Sequence, residues 1–404
     1  MTAPTLTFPI FDAATRANPQ AVYEEMRLES PIYRGIGPMT GNAFWFFTEY
    51  DDVQWALKEP RFIKDGRNRL PEPFRTRYFG GEEGAFAMIN RHLLDLDPPD
   101  HTRLRNIVHK AFTPKAIQEL LPRIETIADD LLQAMAHKSE ADLIDDFAFP
   151  LPITVIAEML GIGVENQAKF REWTTVLLHG ASEETTQISL MEFLQFVNEL
   201  IDARQEEPRN DILSGLIRAE TDGSTMDRME LISMIFLLLV AGHETTVNLI
   251  GNGTLALLQH PNQMALLQQN PSLINSAVEE MLRFNGPVET PTYRFAVEDV
   301  VYKGNVIQTG DILLPSLLGA NRDPNVFKNP NTFDITRNPN PHVAFGFGIH
   351  FCLGAPLARM EGTVAIQKLV AAFPKLRLNT DVSQLQWNNS LLIHGMKSLS
   401  VGLR

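Results

Sequence analysis

Phe345-Gly346-Phe347-Gly348-Ile349-His350-Phe351-Cys352-Leu353-Gly354 carries the one cysteine of a 404-residue chain, and Leu357-Ala358-Arg359 follows it. A lone thiol is ordinarily a small buried hydrophobe, and less often a ligand or a nucleophile. Its surroundings decide here. The glycines at 346, 348 and 354 let the backbone turn tightly and lie against something flat, while Phe345 and Phe351 supply apolar cover. A thiolate in such a loop needs backbone N–H groups and a metal to hold its charge. A nucleophile would need a neighbouring base and an oxyanion site, and the sequence around Cys352 offers neither.

The ten residues fill every specified position of F-G-x-G-x-[HR]-x-C-x-G, and through them the chain resembles the cytochrome P450 superfamily. The resemblance implies a mainly α fold with a small β-rich lobe and a long central helix over a haem. It makes Cys352 the metal ligand, the proximal thiolate of haem b (iron protoporphyrin IX), pushing electron density onto the iron. Phe345, Gly346, His350 and Gly354 become cofactor contacts in the same loop.

Three further stretches match the family in order along the chain. In Glu279-Glu280-Met281-Leu282-Arg283, Glu280 and Arg283 share a helix face. Alone this is an ordinary surface pair. With Phe333-Asp334-Ile335-Thr336-Arg337 downstream, the resemblance implies a buried triad of Glu280, Arg283 and Arg337 that holds the cysteine loop. Met226 to Gln259 reads as one long helix, apolar on all faces from Phe236 to Ala241 and so buried in the centre of the fold. Ala241-Gly242-His243-Glu244-Thr245-Thr246 breaks that pattern with small residues, an acid and an alcohol. A threonine there can simply bond back to a carbonyl four residues earlier. The family's [AG]-G-x-[DE]-T-[TS] motif instead implies that Ala241 and Gly242 make room for dioxygen beside the haem, and that Glu244 and Thr245 are catalytic, delivering protons. His243 occupies a variable position and Thr246 should face away. In Asp97-Pro98-Pro99-Asp100-His101-Thr102-Arg103-Leu104-Arg105, His101 and Arg105 lie four apart on one helix face. The family uses that face, with Arg294 and His350, for the haem propionates, whose burial requires cations. Arg103 points elsewhere, toward solvent.

Hydrophobic residues make up 44% and charged residues 21% of the chain, as in an ordinary globular protein with a large core. The net charge of −14 disfavours nucleic-acid partners. One cysteine forbids an internal disulfide and suits a reducing compartment. Met1 to Gln20 contains no apolar run of signal or anchor length, and Leu231 to Ala241 is too short to span a bilayer. These features lead us to expect a soluble, cytoplasmic, monomeric protein without a membrane anchor. Length alone suggests two or three domains; the resemblance implies one, spanning 1–404. Its β-rich elements should fall mainly within 30–75, 290–316 and 375–404, and its helical body at about 100–285 and 355–373.

The expected function is that of a haem-thiolate monooxygenase, inserting one atom of O2 into a lipophilic small molecule by hydroxylation or epoxidation. The chain stops shortly after the expected terminal strands. Electrons should therefore come from a separate ferredoxin or flavodoxin with an NAD(P)H-dependent reductase, docking near Arg103, His109, Lys110 and Lys115. Rival readings are a peroxygenase using H2O2, in which an arginine and a proline typically replace the acid and alcohol, and a non-catalytic haem or ligand-binding homologue. By analogy the substrate pocket is lined by Phe86, Met88, Val240, Ala241, Val288, Thr290 and Leu392, and by the helical region from Leu177 to Phe196. Glu289 and His394 are candidate polar anchors. The Asp-Pro-Pro-Asp-His-Thr-Arg and His-Glu-Thr-Thr strings look like bacterial tailoring enzymes of polyketide, macrolide and terpenoid secondary metabolism.

Overall fold

The computed structural model describes residues 7–37, 41–79, 89–179, 182–220 and 223–404. Its architecture follows from where the chain is apolar on one face and where on all. The strand Ala43–Phe47 is aromatic from Phe44 onward, and its alternating side chains enter two cores. Trp45 and Phe47 pack with Leu313 and Leu317, while Phe44 and Phe46 pack with Tyr23, Tyr33 and Leu318. A strand buried on both faces belongs in the middle of a sheet. Accordingly it pairs antiparallel with Ile32–Ile36 and parallel with Ile312–Pro315. Arg294–Ala296 and then Phe62–Ile63 complete the five-stranded sheet on the other side. A three-stranded sheet of Glu140–Asp142, Ser400–Gly402 and Arg377–Leu378 joins the C-terminal segment to the helical body.

Helices fill the rest, around Arg228–Gln259. This helix of 32 residues, about 48 Å long at 1.5 Å per residue, begins at a capping box. Asp227 Oδ1 accepts the Glu230 N–H at 2.8 Å, and Glu230 Oε2 accepts the Asp227 N–H at 2.9 Å. Pro150–Met159, Ile274–Asn285 and Ala355–Ala372 pack against it. Among the described residues it is the one helix long and apolar enough to cross a membrane, but 67% of its most apolar stretch is buried inside the fold. Its composition is therefore that of a core helix.

The stretch expected to be buried on every side is not. Phe236, Leu237, Leu238 and Val240 are half-buried and Ala241 is exposed, although 246–257 beyond them are almost wholly buried. Apolar surface left open in the middle of a core helix marks a hollow inside the molecule. Arg103 also departs from its expected place. It pairs with Glu230 and donates to the Thr225 carbonyl at 3.2 Å, tying the helix Asp100–Ala111 to the start of the central helix.

Asp227→Ala removes the side-chain acceptor of the Glu230 N–H at the head of this helix. It should cost about 1 kcal/mol, seen as a lower midpoint in denaturant at unchanged slope.

Candidate active site

Cys352 sits between an irregular loop and the N-terminus of the helix Ala355–Ala372. Gly346 and Gly348 hold φ of 74° and 77°, a region in which a side chain would be strained. The Cys352 N–H donates to the Phe345 carbonyl at 2.9 Å, closing the loop. The thiol is accessible, yet burial raises its pKa, partly offset by the N–H groups of Gly354 and Ala355 and by Arg105 and Arg359. An exposed residue whose thiol is nonetheless surrounded by protein fits the wall of an internal hollow. It meets there the donors and positive charge that a thiolate requires.

Two carboxylates hold this loop from below. Glu280 and Arg283 are fully buried and joined by two bonds of 2.7 Å, and the Arg337 Nε donates to Glu280 at 3.1 Å. Arg283 also donates to the carbonyls of Asn321, Pro330 and Thr332. The three residues named from the sequence therefore meet. Sequence reading passed over their neighbour Glu279. It accepts from Arg359 at 2.6 Å and from His342 at 3.0 Å, and so grips the chain on either side of Cys352. The Arg359 guanidinium in turn lies 4.4 Å from the Phe345 ring centroid.

A cluster of basic side chains lies beside the loop. His101 and His350 are in contact, with ring centroids 4.4 Å apart. The His101 Nε2 and the Arg294 Nη1 are buried without a hydrogen-bond partner. Arg105 donates to the Phe351 carbonyl at 2.8 Å and to His109 at 3.0 Å. Lys64, which the sequence did not single out, is buried in the same cluster and donates to the Thr292 carbonyl at 2.6 Å. Burial pushes Arg294 down to about 10, with Asp97 opposing. Burial followed by Lys64, His101, Arg294 and Arg105 pushes His350 down to about 2. Unpaired donors beside the buried Arg294 guanidinium fit anionic oxygens such as two propionates. Among the described residues no three His, Cys, Asp or Glu side chains converge as a metal site. A metal at Cys352 must then bring most of its own ligands, as a macrocycle does.

On the central helix, Thr245 Oγ1 donates to the Ala241 carbonyl at 2.9 Å, and Glu244 is half-buried. That bond is the one an ordinary helical threonine makes; what distinguishes Thr245 is the open surface at Ala241. Gly242 is half-buried, and a Cβ there would meet Ile156 at 3.4 Å. His243 turns into the core, bonded to the Leu239 carbonyl and packed on Phe149. Thr246 lies on another face, beside the fully buried Glu361. Burial raises Glu361 to about 8, so this carboxyl keeps its proton at neutral pH.

The expected pocket residues fare unevenly. Val240 and Val288 are half-buried and Leu392 is 39% exposed. Thr290 is buried, its hydroxyl spent on the Leu391 carbonyl at 2.8 Å. Leu177 and Phe196 pack against the helical core. Phe86 and Met88 lie outside the described residues. Neither proposed anchor is available. Glu289 is held by Arg16 and Tyr23. His394 bonds Asn285 at 2.9 Å and stacks on Trp387.

A mainly helical fold, a thiol loop at a helix start and a cluster of basic side chains define a haem-thiolate protein. The family model "Cytochrome P450" matches residues 170–395. Cytochrome P450 107B1 of Saccharopolyspora erythraea is 45% identical, over 97% of this chain and 96% of its own. The polyketide biosynthesis cytochrome P450 PksS of Bacillus subtilis is 43% identical over 96% of each chain. The crystal structure of myxobacterial cytochrome P450 CYP267B1 with myristic acid superposes with a TM-score of 0.92 at 44% identity, covering 98% of this chain and 99% of that one. This chain belongs to the cytochrome P450 family, whose members bind haem b, and is an oxidoreductase that incorporates one oxygen atom from O2.

Burial alone would raise the Glu279 carboxyl, but His342 and Arg359 bring it from 4.5 to about 2. A depressed carboxylate stabilises the fold fully above about 4.5 and loses that contribution as pH falls toward 2. Acid unfolding of Glu279→Gln should therefore be flatter than wild type across that window, with the curves converging near pH 2.

Proposed function

We propose that the chain hydroxylates or epoxidises a lipophilic small molecule, with Cys352 as the proximal ligand of its haem. The observation that carries this reading is the Cys352 thiol, accessible within the fold and served by the N–H groups of Gly354 and Ala355. The unpaired donors of His101 and Arg294 support it, and with Arg105, His350 and Lys64 they would hold the propionates. Phe345 and Gly346 would lie along the macrocycle. When bound, the haem supplies the iron at which dioxygen is reduced. One oxygen atom enters the substrate; the other leaves as water, consuming two electrons and two protons.

Those protons set the task of the distal residues. An apolar helix admits no bulk water, so protons travel between positioned hydroxyl, carboxyl and water groups. Thr245 Oγ1 donates to the Ala241 carbonyl, which leaves its lone pairs turned outward to accept. Glu244, next in the chain and half-buried, links that hydroxyl toward solvent. Ala241 and Gly242 leave the room in which a small molecule fits. The retained acid and alcohol favour O2 over a peroxide-driven reaction.

Substrate class follows from what the pocket lacks. Val240, Ala241, Val288 and Leu392 are apolar, and the polar groups of Glu289, Thr290 and His394 are occupied elsewhere. Such a wall favours a molecule held by shape and apolar area. PksS acts in polyketide biosynthesis by name and CYP267B1 was crystallised with myristic acid; a reduced polyketide or a fatty acyl chain suits the wall described. The electrons come from a separate protein, for which we propose a ferredoxin or flavodoxin served by an NAD(P)H-dependent reductase. Its docking surface would include the exposed His109, Lys110 and Lys115 near Arg105, without Arg103, which is paired with Glu230.

Cys352→Ser should abolish the red-shifted band of the reduced carbon monoxide complex together with turnover; retention of both would refute the ligand assignment. Thr245→Ala should still bind substrate and consume reduced cofactor, but release mostly hydrogen peroxide or water. Full product yield per electron pair in that variant would remove Thr245 from the proton path.

A further inference from the structure

Arg16 lies on the short helix Ala13–Ala17, far in sequence from every residue of the site, and is 2% exposed. Its Nη1 donates to both oxygens of the fully buried Glu289, at 2.7 and 2.6 Å, and to the Ser390 carbonyl at 3.2 Å. Tyr23 bonds the same carboxylate. One guanidinium thus ties two segments that also pair along their backbones without forming a regular sheet. Val288 and Ile393 form a lone β-bridge. The Glu289 and Thr290 N–H groups donate to the carbonyls of Leu392 and Leu391, each at 3.0 Å. Side chains alternate along such extended segments. As Glu289 points back to Arg16, its neighbours Val288 and Thr290 are carried to the opposite face, where the pocket wall was placed.

We propose that Arg16 is a positioning residue for the substrate pocket, fixing the spacing between 287–290 and 390–394 and so the width of the wall formed by Val288 and Leu392. The inference rests on the pocket assignment made above. The His394 N–H also donates to the Pro287 carbonyl at 2.9 Å and the Thr290 hydroxyl to the Leu391 carbonyl at 2.8 Å, so the two backbones are laced together and Arg16 adds a side-chain tie on the face away from the pocket. A buried ion pair in which one guanidinium nitrogen faces both carboxylate oxygens, while the Nη2 donates to the Ile10 carbonyl, resists displacement, since leaving either charge unpaired in the interior is costly. The carboxylate that sequence reading offered as a substrate anchor therefore acts from behind the wall.

The test uses the haem-loaded full-length enzyme and two probes read by the shift of the Soret band. Imidazole is small and reports access to the iron; clotrimazole carries the same iron-binding ring on a bulky apolar body and reports the shape of the wall. Arg16→Met should weaken clotrimazole about tenfold with imidazole affinity and the carbon monoxide spectrum unchanged, and Arg16→Lys should recover most of the loss. A lower melting temperature with an unchanged ratio of the two affinities would overturn the proposal and leave Arg16 merely structural. If Arg16→Met does not fold, Glu289→Gln, which keeps shape and removes charge, must move the ratio in the same direction or the proposal fails. Val288→Trp separates the two ideas. If it leaves the ratio unchanged the pocket assignment is wrong; if it shifts the ratio while Arg16→Met does not, only the clamp is wrong.

Discussion

A thiolate can stay inside a protein only if something fixed answers its charge, and the loop that presents it has little structure of its own. Phe345 to Gly354 contains two glycines at positive φ and one turn of 3-10 helix. Its shape is imposed from outside, by Glu280 with Arg283 and Arg337 and by Glu279 with Arg359 and His342. Both carboxylates project from the helix Ile274–Asn285, which packs on the central helix and on Ala355–Ala372. One helix therefore links the Cys352 loop to the central helix. Removing one member of the buried triad would leave uncompensated charge costing about 3–5 kcal/mol, a large share of the 5–15 kcal/mol by which folded proteins are typically stable.

Much of this was legible in the sequence, because short motifs and strong periodicity encode it. The central helix runs Arg228–Gln259 against an expectation of 226–259, and the helix after the cysteine ends at Ala372 rather than Phe373. The strands Arg294–Ala296, Ile312–Pro315 and Ser400–Gly402 fall within 290–316 and 375–404. The triad was legible because Glu280 and Arg283 share a helix turn and Arg337 stands in its own motif.

The misreadings share a cause. Glu289 reads as a pocket anchor because it stands between the expected lining residues Val288 and Thr290, but its partner is 273 residues away. Lys64 was overlooked because a lysine after a two-residue strand reads as a strand end, and only the sheet brings it to Arg294. Arg103 looked solvated because helical spacing cannot foresee Glu230 on another element. Phe236 to Ala241 looked fully buried because periodicity cannot distinguish a wall that meets protein from one that meets a hollow. Local pattern supplies the elements; buried charge pairs that cross the chain select which faces meet.

The central helix also bears on how such a molecule fails. An apolar segment of membrane-spanning length cannot be released from its neighbours without presenting a surface that water will not solvate. Partial opening is therefore an invitation to self-association rather than a step easily retraced. The practical lifetime of the enzyme is then governed by the rate at which the packing around 228–259 first loosens, more than by the free-energy gap between folded and unfolded chains.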